Sequence, residues 1–480
     1  MDIEVMIYVM KRKQHYRAWT VFSIMTMLLT FVAFQSAYAD EGGAVTAFAE
    51  EIQDLKMSIN LAWTLLCGFL VFNMQAGFAL FGAGFLQKEN TLNYLTMSFV
   101  DFCVGGLIFW AFGFAFMFGG TPRHVAGLDN GNNFIGLSGF FLAGNASHSS
   151  TSMLWLFHMM FVVATCTIVT GAVAERFKFH THLICSMLIC GTIYPIYGHW
   201  VWGGGWLAKL PFGSGVIDFA GGGVVHGMGG LLAFIGAWMV GPRFGKYNPN
   251  GTPNIFIGHN ISYIMLGTLF LLFGWFGFNA GSTLAATDHR ISIIATNMFL
   301  SSISSAITLL YISFIITRKS DVILACNGAL AGCVAITASG AYVPHWAAVV
   351  IGLVSALILR ACLYLIETKL RIDDPVGVIS VHGANGLWSM LSVGIFADGS
   401  YMGVKGLIVG SGWQLLSQFI GCITLITWTC ITGYLIFLLL KNTIGLRVPI
   451  NEEKSGIDLY EHGISCYSEE ESSSFLFGKR

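Results

Sequence analysis

Long apolar stretches recur along almost the whole chain, and they restrict the possible folds more than any other feature. After residue 40 there are eleven runs of about 20 residues, the length that a helix needs to cross the hydrocarbon core of a bilayer. The predicted spans are 59–82, 94–118, 153–174, 182–203, 219–240, 254–279, 291–316, 321–340, 345–367, 378–397 and 411–440. Because lipid offers no hydrogen-bond partners, the backbone of each run must satisfy itself within a helix. With 55% hydrophobic and 10% charged residues, the sequence predicts an all-α polytopic membrane protein with eleven transmembrane helices.

The N-terminus has the features of a secretory signal peptide. A basic cluster precedes an apolar run from Trp19 to Phe34, and Ala37-Tyr38-Ala39 then forms an A-x-A cleavage site. Because the apolar run is short, cleavage before Asp40 is favoured over an uncleaved first helix. Met10, directly before the basic cluster, is an alternative start. The predicted domains are an N-terminal extension and signal peptide (1–39), a transmembrane domain (40–440) and a C-terminal regulatory tail (441–480).

One segment of thirteen residues occurs twice. Residues 218–230 read DFAGGGVVHGMGG and residues 374–386 read DPVGVISVHGANG, and six of the thirteen positions match without a gap. The matches include the Asp that opens each segment and a histidine, His226 in the first copy and His382 in the second. Polar groups at membrane depth are expensive and usually functional, and repeated halves with a site between them are typical of transporters. The alternative, in which each histidine only ties its helix to a neighbour, is weaker for a matched pair.

The positions of the two copies predict an inverted repeat. Each copy lies in the fifth span of a five-span half, and a unit with an odd number of spans is inverted in the membrane when it is repeated. Spans one to five and six to ten therefore form the two halves, followed by the long eleventh span. His226 and His382 should then meet near the middle of the membrane. Glycines that share the helical face of His226 can admit a closely packed neighbour. They are Gly222, Gly223, Gly229 and Gly230.

The charges of the loops predict the orientation of the chain. An external mature N-terminus and an odd number of spans put the tail in the cytosol, and the positive-inside rule tests this arrangement. Nine basic residues fall in the five loops assigned to the cytosol: Lys88, Arg176, Lys178, Arg243, Lys246, Arg318, Lys319, Lys369 and Arg371. Four fall in the five opposite loops: Arg123, Lys209, Arg290 and Lys405. This difference supports a cytosolic tail.

Composition excludes several classes of function. A net charge of −1 excludes a broadly basic nucleic-acid binder. The 11 cysteines show no zinc or haem-attachment spacing, and most lie within apolar runs, so we interpret them as small hydrophobic residues. The sequence therefore predicts a protein that is not an enzyme and that needs no metal or cofactor.

Three aromatic clusters stand at span ends assigned to the outside. They are LFHMMF (156–161), HWVWGGGW (199–206) and WFGFNAGS (275–282). Aromatic residues at such ends usually form an interfacial belt. The Asn-Ala-Gly-Ser sequence in the third cluster favours instead a site for a small cation, which aromatic faces attract and a hydroxyl group can bind. Asp218 could add an electrostatic contribution, although a role as N-cap of the glycine-rich turn after it is favoured.

Several long motifs follow one another in a fixed order along the mature chain. They are AERFKF, DFAGGGVVH, FGWFGFNAGS, NGALAGCVAITA, DDPVGVISVHG and GIDLYEHG. In these motifs the chain resembles the ammonium transporter family (Amt/Mep/Rh), and specifically its bacterial Amt branch. The resemblance covers nearly the whole mature chain. It implies a homotrimer with one pore per subunit, and a cytosolic tail region where PII-type signalling proteins plug the pore.

The resemblance also implies a pore with a gate. By motif position, His226 and His382 would be the twin pore histidines. Phe161 and Phe278 would be the stacked phenylalanine gate between the external surface and these histidines.

An external recruitment site is implied above the gate. Trp202 and Ser282 would form it together with the gate residue Phe161, and Asp218 would lie just behind it. Trp206 is an alternative to Trp202, because extra residues separate the tryptophan from Asp218 in this sequence. His158 stands where the family commonly has the glutamine of F-Q-x-x-F, which would add a titratable group near the entrance and make uptake more sensitive to pH.

The function implied by the resemblance is ammonium/ammonia transport across the bacterial inner membrane. The cation would be recruited and deprotonated outside, and neutral ammonia would pass the apolar pore. Two imidazoles that share a hydrogen bond could carry the proton separately, since each can donate on one nitrogen and accept on the other. Two alternatives stay open at this point: an ammonium sensor that signals through its tail, and a redox protein with His226 and His382 as axial haem ligands.

Overall fold

The computed structural model describes residues 3–36, 41–121, 125 and 127–467. The predicted cleavage site at 37–39 and the distal tail from residue 468, with its SEEESSS sequence, lie outside the described residues. The chain divides into two compact units, Met1–Asn60 and Leu61–Arg480. The first unit consists of helix α1 (Ile3–Ser36) and the beginning of α2 (Glu41–Phe85).

The second unit is a helical bundle in which each of the eleven predicted spans corresponds to a helix. After α2 these are α3 (Lys88–Phe118), α4 (Ser149–Val173), α5 (Phe179–Val201), α6 (Gly222–Val240), α7 (Ile261–Ala280), α8 (Ile291–Thr317), α9 (Val322–Thr337), α10 (His345–Lys369), α11 (Ile379–Ala384 continued by Asn385–Phe396) and α12 (Trp413–Thr443). Two short helices follow in the tail, α13 (Ile450–Ser455) and α14 (Ile457–His462). Extended pairing in the described residues is limited to isolated bridges. The predicted all-α fold class is confirmed.

Nine helices in the described part of the chain are long and apolar enough to cross a membrane. The predicted eighth and tenth spans correspond to the shorter helices α9 and α11. The structure also shortens two predicted helix beginnings. Helix α7 begins at Ile261 rather than at residue 254. The side chain of Asn260 caps it there by accepting a hydrogen bond from the backbone N–H of Tyr263 at 3.1 Å. Helix α6 begins at Gly222 rather than at residue 219, and the carboxylate of Asp218 accepts a hydrogen bond from the backbone N–H of Gly222.

The repeated segment has the same backbone design in both copies. Each histidine lies in a π-helical turn that opens its helix, Gly222–Gly227 for His226 and Ile379–Ala384 for His382. A glycine with positive φ precedes each turn, Gly221 at 100° and Gly377 at 83°. Side chains are strained in this conformation, which explains why glycine stands at the same place in both copies.

Helices α6 and α11 cross through glycine contacts. A Cβ atom added to Gly230 would lie 2.1 Å from the backbone nitrogen of Gly383, and one added to Gly386 would lie 2.5 Å from the nitrogen of Gly227. The predicted close packing on the glycine face of α6 is therefore confirmed. Because Gly230 lies against Gly383 while Gly227 lies against Gly386, the two helices run antiparallel, as an inverted repeat requires.

Candidate functional site

A cavity of about 570 Å³ opens at one end of the bundle, and we call it the outer cavity. The ends of α4, α5 and α7 and the loop before α6 form its walls. Four of the residues singled out in the sequence line it together: Phe161, Trp202, Asp218 and Ser282. Trp206, the alternative to Trp202, instead packs against Trp200 with ring centroids 5.9 Å apart.

The polar atoms of the outer cavity are held by backbone groups. The indole N–H of Trp202 donates to the carbonyl of Asp218 at 2.6 Å, and this hydrogen bond holds the ring in the wall of the cavity. The hydroxyl of Ser282 donates to the carbonyl of Phe278 at 2.7 Å. Since its hydrogen is used there, the oxygen of Ser282 keeps lone pairs that can accept a hydrogen bond from a cationic N–H.

His158 is a wall of the same cavity. Its ring lies 5.4 Å from that of Trp202 and 4.7 Å from that of Phe118, and the residue is 8% exposed. A titratable imidazole therefore stands beside Trp202, near the entrance where the family resemblance implies a recruitment site.

One wall residue of the outer cavity, Phe161, stacks on a second phenylalanine, Phe278, that lies deeper in the bundle. The rings of Phe161 and Phe278 are 4.0 Å apart at the centroids and inclined by 18°. Both side chains are buried, and Phe157 packs against Phe161 at 4.7 Å. The two rings therefore lie between the outer cavity, which Phe161 lines, and His226, whose ring is next to Phe278.

The two histidines lie directly beneath the stacked pair. The ring of His226 is 5.2 Å from that of Phe278, and its Nδ1 atom is 3.2 Å from Nδ1 of His382. One ring must donate and the other accept in this contact, so the remaining nitrogens of the pair are one donor and one acceptor. The Nε2 atom of His226 is buried and has no hydrogen-bond partner among the described residues. This nitrogen therefore remains available for a hydrogen bond with a small molecule.

Sequence reasoning missed the part of Trp275 in this arrangement. Its ring stacks on that of His226 at 5.3 Å and 25°. The signal was present in WFGFNAGS, because residues three and four apart share one helical face. Trp275, Phe278 and Ser282 follow this spacing.

The carboxylate of Asp218 caps α6. It accepts hydrogen bonds of 2.7 to 3.0 Å from the backbone N–H groups of Gly221, Gly222, Gly223 and Val224. Burial raises the pKa of Asp218, and these four hydrogen bonds oppose the rise. In the second copy Asp374 accepts from Gly377 at 3.0 Å and from Ile379 at 2.7 Å, and burial raises its pKa to about 6.

A network of charges closes the opposite end of the bundle, which we call the tail face because the tail packs there. Arg243 is paired with Glu175, and its Nε and Nη2 atoms donate to the carboxylate of Asp373 at 2.8 and 2.9 Å. Burial alone would raise the pKa of Asp373, but Arg176 and Arg243 hold it well below its usual range. Burial lowers the pKa of Arg176 to about 10.

The haem alternative does not fit the two histidines. An iron bound by both rings would have to lie between nitrogens that are 3.2 Å apart, and the rings themselves stack at a centroid distance of 5.2 Å. The buried surroundings of Phe278 and Trp275 leave no space for a porphyrin between these rings.

Known proteins share this architecture. The Ammonium Transporter Family matches residues 62–467. The ammonium transporter Amt2 of Archaeoglobus fulgidus is 42% identical over 456 residues, covering 92% of this chain and 94% of that protein. The ammonium transporter 1 member 3 of Solanum lycopersicum is 36% identical, covering 88% of this chain and 96% of that protein.

Solved structures agree with the sequence comparisons. A structure described as Sensor Amt Protein is similar with a TM-score of 0.79 and 37% identity, covering 85% of this chain and all of that one. The crystal structure of Candida albicans Mep2 is similar with a TM-score of 0.73 and 27% identity, covering 82% of this chain and 87% of that one. Since the family match and these relatives cover most of its length, the chain belongs to the ammonium transporter family.

Proposed function

We propose that the protein transports ammonium across a membrane, with a path that recruits the cation outside and passes neutral ammonia inside. The observation that carries this proposal is the order in which three groups of side chains follow one another from the outer cavity into the bundle. An aromatic cavity with a hydroxyl acceptor leads to a stacked phenylalanine pair and then to two joined imidazoles.

Recruitment takes place in the outer cavity. The faces of Trp202 and Phe161 attract a small cation through their quadrupoles, and the hydroxyl of Ser282 accepts one hydrogen bond from it. The carboxylate of Asp218 is fully engaged with backbone N–H groups. It therefore acts on the cation by its charge and by placing Trp202, rather than by direct contact.

The stacked pair and the apolar interior favour the neutral species. A bare cation that leaves water for such a path loses several kcal/mol or more of hydration, whereas ammonia loses far less. The cation therefore gives up its proton to the Nε2 atom of His226 as Phe161 and Phe278 separate, and it continues as ammonia. This step makes the gate a filter for charge as well as for size.

The imidazole pair carries the proton. His226 and His382 share one hydrogen bond, so a proton added at one Nε2 atom can be released at the other while the shared bond reverses. Two separate routes then exist at the same depth, one for ammonia and one for the proton. Recombination beyond His382 restores the cation.

Assembly, orientation and location follow from the resemblance and the loop charges. The protein forms a homotrimer in the bacterial inner membrane, with the mature N-terminus outside and the tail face in the cytosol, where a PII-type signalling protein can bind. A reporter fused after Leu446 tests the orientation. It should be active in the cytosol, and activity confined to the periplasm would reverse the assignment.

The deciding experiment compares currents of ammonium and potassium in liposomes. The His226→Leu, His382→Leu double variant should lose ammonium-coupled current while the outer cavity still binds the cation. His226→Asp or His382→Glu should offset the cost of a hydrated cation and lower the discrimination against potassium.

A matched control is His345→Leu, which removes an imidazole bonded to Asn297 outside the path and should keep coupled current. Size-exclusion chromatography confirms that each variant is folded and assembled. Normal coupled current in the double variant would refute the relay. A sensor that signals without transport would show no flux in the wild type.

A further inference from the structure

A second cavity lies at the tail face, and we call it the tail-face cavity. Its volume is about 730 Å³, and its walls come from the tail, from the loop between α6 and α7 and from the segment that opens α3. Pockets that bury a whole small molecule reach roughly 1,000 Å³. The tail-face cavity therefore has room for several side chains.

The loop between α6 and α7 gives this cavity an apolar edge. Ile255 is 89% exposed, Ile257 is 71% exposed and Phe244 is 53% exposed, and all three line the cavity. Apolar side chains exposed together mark a surface to which another molecule or segment binds. The ion pair of Arg243 and Glu175 lines the same cavity. A lipid chain is therefore a poor occupant, because it would cut these charges off from water.

The cavity lies between the tail and the bundle. The backbone N–H of Phe244 donates to Glu453 of α13 at 2.6 Å, and the ammonium group of Lys454 lies 4.1 Å from the centre of the Phe244 ring. The side-chain amide of Gln87, directly before α3, donates to the carbonyl of Ile257 at 3.0 Å. A segment that fills the cavity would thus contact the tail and the bundle together.

The described part of the tail ends beside this cavity. The hydroxyl of Tyr467, the last described residue, is 2.8 Å from the Nε2 atom of His259. His259 follows the wall residue Ile257 by two positions, at most about 7 Å along the chain. The backbone N–H of His259 donates to the carbonyl of Leu86 at 3.0 Å, directly before Gln87. The next residues of the tail therefore start at the edge of the cavity.

The sequence after Tyr467 contains one apolar group, FLF at residues 475–477, which we call the FLF segment. Phe475 is eight residues from Tyr467. Since an extended chain covers at most about 3.6 Å per residue, this connection can span up to roughly 29 Å. The FLF segment can therefore reach Ile255 and Ile257 while Tyr467 keeps its contact with His259.

The charges of the connection match those at the rim of the cavity. Residues 469–471 are three consecutive glutamates. Two of the three acids that line the cavity are paired with arginines, so the exposed Lys88 and Lys454 outnumber the remaining Glu89. Exposed charges of opposite sign guide an encounter more than they stabilise it. The connection is thus drawn to the rim, while the apolar side chains supply the affinity.

We propose that the FLF segment of the same chain occupies the tail-face cavity and packs against Phe244, Ile255 and Ile257. Its two phenylalanines can bury about 150 to 250 Å² each. In this position the segment joins α13 to the loop between α6 and α7 and holds the tail on the bundle. The contact is separate from the proposed transport path and does not depend on it.

Hydrogen exchange of residues 450–456 measures how firmly α13 is held, in the full chain in lipid nanodiscs. The triple variant Phe475→Ser, Leu476→Ser, Phe477→Ser should lower protection at least about tenfold, which corresponds to 1.4 kcal/mol. Lys479→Ser with Arg480→Ser is the matched control, because it changes the same part of the tail but keeps the FLF segment. Its protection should equal that of the wild type.

The cavity side provides a second arm of this experiment. Ile255→Ser should lower the protection of residues 450–456 as the triple variant does, and its 89% exposure means that the fold does not depend on it. Because both changes remove the same contact, their combination should be no worse than either alone. Unchanged protection in the triple variant, or effects that simply add, would overturn the proposal.

Cross-linking identifies the occupant. Ile257→Cys with Leu476→Cys, in a chain that also carries Cys466→Ser, should form a disulfide on mild oxidation by oxygen with a copper catalyst, since the two residues are expected in contact. The product should run as a single chain on a non-reducing gel. Leu459→Cys with Leu476→Cys is the control pair, because Leu459 is exposed on α14 outside the cavity, and it should cross-link much less.

Each other occupant gives a different result. A cross-link found only between two chains would show that a neighbouring copy fills the cavity, and it would overturn the assignment to the same chain. A lipid or another protein in the cavity would leave the Ile257→Cys, Leu476→Cys pair no more cross-linked than the control pair, which would also overturn it. Neither measurement uses ammonium, so failure of transport in the wild type would leave both results interpretable.

Discussion

The crossing of α6 and α11 gives the sharpest test of the structure, because the two histidines meet only if these helices nearly touch. A Cβ atom at position 230 would lie 2.1 Å from the nitrogen and 2.3 Å from the Cα atom of Gly383. Both neighbours are backbone atoms and cannot rotate away. Gly230→Ala therefore has to push the helices apart.

The size of this movement follows from contact distances. Ordinary contacts begin at 3.4 Å, so a 2.1 Å contact requires a shift of at least about 1.3 Å, the difference between the two values. Added to the 3.2 Å between the Nδ1 atoms of His226 and His382, a shift of this size exceeds the roughly 3.5 Å limit of a hydrogen bond. Overpacking of this kind costs about 1 to 3 kcal/mol, whereas Gly→Ala in an unobstructed helix would stabilise by about 0.5 to 1 kcal/mol.

Gly433→Ala is the matched control. It lies on α12, and its added Cβ atom would meet only the flexible end of Leu232, at 2.8 Å. For Gly230→Ala, the unfolding temperature in detergent and the ammonium-coupled current in liposomes should both fall. The current should fall at least about tenfold, as expected for a lost interaction of 1.4 kcal/mol. Gly433→Ala should change both little. Wild-type stability and current in Gly230→Ala would show that the helices do not cross as closely as described.

Three further predictions concern the gate, the tail and the charge network. Phe278→Ala should lower selectivity more readily than ammonium flux, because the lost ring leaves room for water. Uptake of larger amines measures the selectivity. If the variant still excludes larger amines, Phe278 only packs. Deletion from Gly456 onward removes the carboxylate of Asp458 from α3, and it should impair transport or subunit coupling. Size-exclusion chromatography should still show the oligomer. Wild-type flux with unaltered regulation would count against this prediction. Burial alone would raise the pKa of Asp373, but Arg176 and Arg243 hold it below its usual range. Asp373→Asn should therefore be less stable than the wild type at neutral pH. The difference in unfolding temperature should shrink as the pH falls below about 4. A difference that stays constant with pH would refute the stabilising role of the Asp373 carboxylate.

The sequence predicted the helices well because each apolar run carries its own signal. It also predicted the meeting of His226 and His382, since a repeated motif fixes equivalent places in two halves. Helix beginnings were less accurate where a side chain acts as a cap. Asn260 ends an extended segment that reads as apolar, and its capping contact with Tyr263 depends on backbone geometry rather than on hydropathy.

The residues missed by sequence reasoning are those whose partners lie far away in the chain. Asp101 and His182 are 81 residues apart, and neither belongs to a motif that would place the other. The network of Arg243 with Asp373 spans 130 residues. Periodicity reports the face of one helix, but it does not report which two faces meet, so such pairs emerge only from the packed structure.

The packing also changes how the repeated Asp should be understood. His226 stands four residues after Gly222, where α6 begins, which is about 6 Å along a helix, and His382 stands three residues, or about 4.5 Å, after the start of α11. Because the two histidines touch, both helices must begin deep in the bundle. The first backbone N–H groups of a helix have no partner within it, and at this depth lipid cannot supply one. Asp218 satisfies three of them in one copy, those of Gly222, Gly223 and Val224, and Asp374 takes the same place in the other. A carboxylate at this spacing is thus required for the histidines to meet at all, so loss of transport on replacing Asp218 reports on the folding of α6 before it reports on any attraction of the cation.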